Sequence, residues 1–271
     1  MMVKRALMFM ILIAASPGLA GEAKDKGKED AERVAKAQAE VEKQVRDWKG
    51  QGFRVQVIDE KYVRETFPNH VFIAVHFPQW PIARVTPEPM KHQNLFVIAK
   101  DDKVTHLADS KKLEDFFKST LGAKLNQDKT VRSWLRLRME YIQDGYYKFK
   151  FPEKADVTGP GSSLTLVTGI VEVVPEAGNK GSFKAVVRFD RADKFSGVTE
   201  EDNKVIRGIR PRCQATLLLH ADPLVRAIAE QDLLVLGQNA RGYLMEQRAK
   251  ASDELRREID RIWRQIEIEG R

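Results

Sequence analysis

The sequence predicts an α+β fold, with antiparallel sheet packed against helices and a helical unit at the C-terminal end. Three observations carry this. Residues 128–151 (DKTVRSWLRLRMEYIQDGYYKFKF) read as an amphipathic helix, a stop at Gly145 and an aromatic strand. Strand-like runs follow at 146–151, 164–174, 182–190 and 204–219, joined by links short enough for hairpins. Asp222-Pro223 then opens a stretch with helical periodicity only: an acceptor at the N-cap and proline at the first helical position. One helix followed by four hairpin-linked strands argues an antiparallel sheet backed by helix.

The chain has 271 residues, and its first twenty read as a targeting segment. Lys4 and Arg5 precede a ten-residue apolar run, 6–15, too short to cross a bilayer. Ser16 and Pro17 break it, and Gly18 and Ala20 put small residues at −3 and −1 of a cut after Ala20. The expectation is a secreted or periplasmic protein with no mature transmembrane helix. Losing Lys4 and Arg5 lowers the net charge from +7 to +5. The remaining charges alternate in sign, with no basic tract interleaved with aromatics, so nucleic acid is not an expected partner. Cys213 is the only cysteine, so an exported chain has no internal disulfide. Cys213 reads as a small apolar residue in a strand.

Residues 21–29 are charged and read as a disordered linker. From Asp30 a helix carries Val34, Ala37, Val41, Val45 and Trp48 on one stripe and stops at Gly50. Residues 53–58 alternate as a strand, a short helical turn follows at 60–66, and 70–77 (HVFIAVHF) reads as a well-buried strand. Pro78, Pro81, Pro87 and Pro89, with Trp80, make an extended loop. Runs 94–99 and 103–107 are a hairpin, and Asp109 or Ser110 caps a helix ending at Gly122. The N-terminal α+β unit therefore spans 30–122 and the second sheet domain 126–220. Both read as helix then strands, and the shared Val45-Arg46-Asp47-Trp48 and Val131-Arg132-Ser133-Trp134 make a duplication conceivable.

On the helix opening at Asp128, Val131, Trp134, Leu135, Arg138 and Ile142 follow helical spacing, while Arg132 and Arg136 fall off that stripe. Glu140 and Asp144 are read with Arg136 and Lys148 as surface i,i+4 pairs. Gly169, inside a strand run, reads as a bulge or bend. Asp190, Asp193, Glu200, Glu201 and Asp202 read as one acidic, solvated loop.

In residues 221–271, Asp222, Val225, Arg226, Ala229, Leu233, Leu236-Gly237, Ala240 and Leu244 are followed by Ser252, Leu255, Ile259, Ile262 and Ile266. Over about 222–268 this pattern resembles a HEAT-type helical repeat, a first helix ending at a Leu-Gly turn and a second packing antiparallel to it. The resemblance implies a helical unit, and a single one reads as an appendage docked on the sheet domain. The α-then-four-β order also resembles cystatin-like and NTF2-like folds in topology alone.

No phosphate-cradling loop, nucleophile elbow, HExxH, CxxC or calcium loop occurs. No catalytic residues and no cofactor are expected. His70 and His76, on one face of one strand, are the weak candidates for a metal. Trp134, Arg138 and Tyr146 are the candidate ligand-binding residues, for a pocket between the sheet and the 128–144 helix. The expectation is a non-enzymatic binding protein whose partner is another protein or an envelope component. The alternative is a small-ligand-binding protein or enzyme using that pocket.

Overall fold

The structure is a computed structural model; it describes residues 18–79, 83–143, 148–160, 164–176 and 178–271, with side chains from residue 31 onward except 157–160. The predicted cut at Ala20 leaves the basic and apolar parts of the leader, residues 1–17, outside the described residues, as are Trp80, Asp144, Gly145 and Tyr146.

The fold is α+β, with two antiparallel sheets, helices and a helical C-terminal region. Helix α1 (Gly18–Asp47) leads into strand β1 (Arg54–Ile58), short helix α2 (Lys61–Thr66), and strands β2 (His70–His76), β3 (Gln93–Ala99) and β4 (Val104–Leu107). These strands form a meander in sequence order, the first sheet. The helical backbone of α1 runs back through 21–29, the segment expected to be an irregular linker.

Strand β2 is buried on both faces, which accounts for its unbroken apolar run. On one face Val71, Ile73 and Val75 meet Ala37, Val41 and Val45 of α1. On the other, Phe72 and Ala74 join Leu95 and Val97 in a larger core.

That larger core belongs to both sheets. Helices α3 (Ser110–Thr120) and α4 (Gln127–Met139) contribute Leu113, Phe117, Val131, Trp134 and Leu135 to it. Asp109 caps α3 as expected, its Oδ1 accepting from the Lys112 amide at 2.9 Å. The cap of α4 is Asn126, not Asp128; its side chain accepts from the Lys129 amide, and Asp128 instead accepts from the Ala155 amide at 2.6 Å.

The second sheet contains β5 (Phe149–Lys150), β6 (Asp156–Pro160), β7 (Thr165–Val173), β8 (Ser182–Phe189) and β9 (Phe195–Asn203). The order is β5-β7-β8-β9, with β6 also pairing β7. Its last strand is not the predicted 204–219. Strand β9 lies earlier and carries Glu200, Glu201 and Asp202, so these acids are not loop residues. An edge strand tolerates such charges because its outer rim faces water. Ile206 makes an isolated bridge to Lys180, and Ala215–Leu219 forms a 3-10 turn.

Gly169 is not a bulge either, since its pairing with Ala185 is in regular register. A Cβ there would lie 2.5 Å from Leu135 Cδ1 and 2.7 Å from Val131 Cγ1. The glycine therefore lets α4 approach the sheet closely.

The C-terminal helices α5 (Pro223–Leu236), α6 (Arg241–Lys250) and α7 (Asp253–Glu269) build their own core. Asp222 caps α5 with Pro223 just inside it, as predicted. Ala229, Leu233, Tyr243, Leu244, Ile259, Ile262 and Ile266 form this core, which shares no residue with the sheet core. No helix among the described residues is long and apolar enough to cross a membrane.

Candidate functional site

The densest group of perturbed ionisable side chains lies where α2, β2 and the end of α4 meet. Arg136, on α4, donates from Nε to Glu60 and from Nη1 to Glu140. Glu140 also accepts from Gln143, and from His76 Nε2 at 2.8 Å. Glu60 occupies the N-cap position of α2 but caps nothing with its side chain, which turns to Arg136 instead. The Phe151 ring lies 5.6 Å from the Arg136 guanidinium.

Glu140 has no exposed surface. It also follows the last turn of a helix, where the backbone dipole disfavours a negative charge. Burial raises its pKa. The hydrogen bond from His76 and the Arg136 charge outweigh burial and hold it below the usual carboxylate range. For Arg136 burial likewise opposes the charge, and Glu140 and Glu60 more than restore it. Tyr62 lies beside the network under Arg132, 4.2 Å from guanidinium carbon to ring centroid. Burial, then Glu60, pushes its hydroxyl up to about 12.

The arrangement corrects the expectation that Arg136 and Glu140 form a surface pair. They are paired at i,i+4, but inside the protein. The sequence showed one stripe on this helix because its second buried side mixes the polar Thr130, Ser133 and Arg136 with Leu137. Ser133 Oγ donates to the Tyr62 carbonyl at 3.2 Å, so α2 packs on that polar side. The network clamps three elements and leaves Glu60 Oε2 buried without a hydrogen-bond partner; no hydroxyl or thiol is among the partners of His76 or Glu140 described.

Of the predicted ligand-binding residues, Trp134 and Arg138 lie one turn apart on α4, and Tyr146 lies outside the described residues. Trp134 is 1% exposed and sits among Phe117 and Phe195 in the core. Its Nε1 is buried without a hydrogen-bond partner. Arg138 makes a two-pronged contact to Glu201 at 3.0–3.1 Å and lies over Phe183. At Gly169, α4 approaches β7 closely; a 240 Å³ depression elsewhere beside α4 is lined by Ser110, Glu114, Trp134, Thr199 and Glu201, the last the partner of Arg138.

His70 and His76 stand at opposite ends of β2. Six residues at about 3.3 Å each put them roughly 20 Å apart, too far to share an ion. His76 is taken by Glu140, and His70 packs edge-on against Phe67 and Phe116. Among the described residues no three His, Cys, Asp or Glu side chains gather as a metal cradle. Cys213 lies outside any strand, beside the C-terminal core, and its amide donates to Asp232 at 2.8 Å. Burial, then Asp232, raises its thiol pKa, so it has no activated-thiolate character.

Two surface features were not visible as sites in the sequence. A groove of about 960 Å³ runs between α1, the end of β1 and α2, with Val34, Val57, Phe67 and Val71 among its walls. The other is the outward face of α5: Leu224, Ile228 and Val235 are 66%, 52% and 70% exposed. Ala227 and Gln231 complete that face, and none of its members is charged. The sequence signal was there, as apolar residues on both faces of α5, but the inward stripe absorbed it.

No protein-family model matches the chain, and neither a curated protein nor a solved structure matches it.

Proposed function

We propose that this chain is an exported, non-enzymatic binding protein that recognises another protein, of the cell envelope or secreted, through the outward face of α5. The observation that carries this reading is the uncharged, exposed face Leu224–Ala227–Ile228–Gln231–Val235. Steps of four and seven residues keep these side chains on one line of the helix, about 16 Å long. The charges that flank it are occupied: Asp232 accepts from the Cys213 amide, and Glu230 accepts from Arg261. A charge-depleted centre with a polar rim is the make-up of protein interfaces. A partner helix laid along the stripe would match its width and length.

The HEAT-type resemblance of 222–268 points the same way, because such units pack on a neighbour through an apolar helix face. A lone unit leaves that face for another chain. The outer face of the second sheet competes less well. It also exposes Leu166 and Ile170, but the Lys184–Glu200 ion pair crosses it. Export rests on the basic, apolar and small-residue order of the first twenty positions. The mixed signs of surface charge speak against nucleic acid. The close packing of α4 on β7 speaks against a ligand pocket there.

Photocrosslinking in the host tests this. A photoreactive residue replacing Gln231 should give one discrete protein adduct, and Ile228→Glu should abolish it. Adducts no more frequent from position 231 than from exposed Arg264 would refute the reading.

A further inference from the structure

Strand β1 ends the first sheet, and its outer edge is open. On its inner side each residue pairs with β2, from Arg54 with His76 to Ile58 with Phe72. On the outer side no backbone hydrogen bond reaches residues 54–58 among the described residues. Such an edge is normally guarded by charges, proline or a covering element. The edge strand β9 is guarded by Glu200, Glu201 and Asp202. Strand β1 (RVQVI) carries one charge and no proline.

Helix α1 does not cover this edge. Its row Ala37, Val41 and Val45 is buried against the sheet. The adjoining row, Val34, Gln38 and Glu42, is only half-buried and borders open space beside β1. A cavity of about 520 Å³ reaches from Gln38 and Glu42 to Val55, and the groove of about 960 Å³ reaches from Val34 and Gln38 to Val57. Gln38 lines both, so together they follow the strand. Val55 and Val57 are half-buried, whereas the β2 residues they pair with, Val75 and Ile73, are fully buried. The apolar layer beneath α1 therefore stops one strand short.

Side chains alternate between the two faces of β1. Val55 and Val57 lie on the α1 side. Arg54 and Gln56 point to the other side and are exposed, and Arg54 has no ion pair among the described residues. A strand added here would face the same alternation: apolar side chains beside the two valines, polar ones beside Arg54 and Gln56, with an acid matching Arg54. A second copy of this chain fits less well. Strand β1 has no acid of its own, and Asp59, next along, is taken by Arg64 at 2.9 Å.

We propose that β1 accepts an extended segment of another protein as a fifth strand of the first sheet, a segment apolar at alternate positions with acidic residues between. Main-chain hydrogen bonds to the edge supply affinity, and the slot beside α1 selects the apolar side chains. The surface is separate from the α5 face, and either can exist without the other.

Fluorescence anisotropy of the full chain with a labelled Ser-Val-Glu-Val-Glu-Val-Ser peptide tests it. The peptide should saturate at one per chain, and its counterpart with Lys for Glu should bind about fivefold more weakly. Arg54→Gln should weaken the acidic peptide about two- to fivefold and leave the melting temperature unchanged. Alternate residues of an added strand turn their N–H groups to the edge. Of two peptides N-methylated at the valines or at the glutamates, one should therefore lose binding and the other keep it. No saturable binding, equal affinity for the acidic and lysine peptides, equal behaviour of the two N-methylated peptides, or an affinity untouched by Arg54→Gln would each overturn the proposal. So would a dimer of the chain that the peptide dissolves, which would assign the edge to a second copy. Ile228→Glu should leave peptide binding intact, so failure of the α5 reading and failure of this one are told apart.

Discussion

Glu140 holds His76 at 2.8 Å across 64 residues of chain, pinning the end of α4 to the last residue of β2. The carboxylate is fully buried and is the only group that Arg136, Gln143 and His76 share.

Replacing Glu140 by Ala should therefore do more than remove a contact. It leaves Arg136 buried with half its partners, and breaking a buried ion pair costs about 3–5 kcal/mol. Urea denaturation monitored by tryptophan fluorescence measures this; a loss below about 1 kcal/mol would place the network outside the fold's energetics.

The same carboxylate gives a pH dependence with a defined sign. Its pKa is lower folded than unfolded. Its stabilisation is thus fully present above the unfolded value, about 4.3 for Glu, and is lost as pH falls through the lower folded value. Stability should drop steeply on acidification below about pH 4.3, and the drop should be shallower in Glu140→Gln. Superimposable acid limbs for the two proteins would contradict it.

Gly169→Ala should destabilise by about 1–3 kcal/mol, since the new methyl meets Leu135 and Val131 inside van der Waals distance. Leu135 and Val131 are fully buried and cannot swing aside. In a double-mutant cycle, Leu135→Ala should recover part of the loss, with a coupling of about 0.5 kcal/mol or more. Strict additivity would show that the helix shifts as a body.

Trp134→Ala should cost about 3–5 kcal/mol as a large core truncation. Trp134→Phe should cost far less, because it also removes a buried N–H that has no acceptor. Thermal unfolding of the two variants separates these; equal losses would reveal a hidden partner for Nε1.

In the C-terminal core the Ala215 amide donates to the Tyr243 hydroxyl at 2.8 Å, in a buried setting. Tyr243→Phe strands that amide and should destabilise by about 1–3 kcal/mol. Hydrogen exchange should report it first in α5–α7, because their core shares no residue with the sheets. A uniform effect across both sheets would mean that the chain unfolds as one unit.

Much of the fold was legible from the sequence. Alternation and apolar runs located β1 to β4, and Asp109 and Asp222 marked their helix starts correctly. The reading failed where a rule of thumb had a competitor. Strand β9 hides because Glu200, Glu201 and Asp202 sit on an edge, where burial does not select apolar residues. Helix α4 was read as half-exposed because Ser133, Arg136 and Glu140 are polar yet buried, and their partners include residues far along the chain: Tyr62, Glu60 and His76. No local pattern encodes such a pairing. The groove was illegible for the same reason: Val34 and Val57 line it only after α1 has folded over the first sheet.

The position of α4 between the sheets has a consequence for how the chain can be divided. Val131, Leu135 and Trp134 belong to the same core as Phe72 and Leu95 of one sheet and Val167 and Phe183 of the other. Cutting the polypeptide in the 121–126 connection would give two fragments, each presenting a raw apolar wall to water. Each half would lack part of the core that the two share. Produced together, they have the makings of a split protein, whose halves become soluble by finding each other.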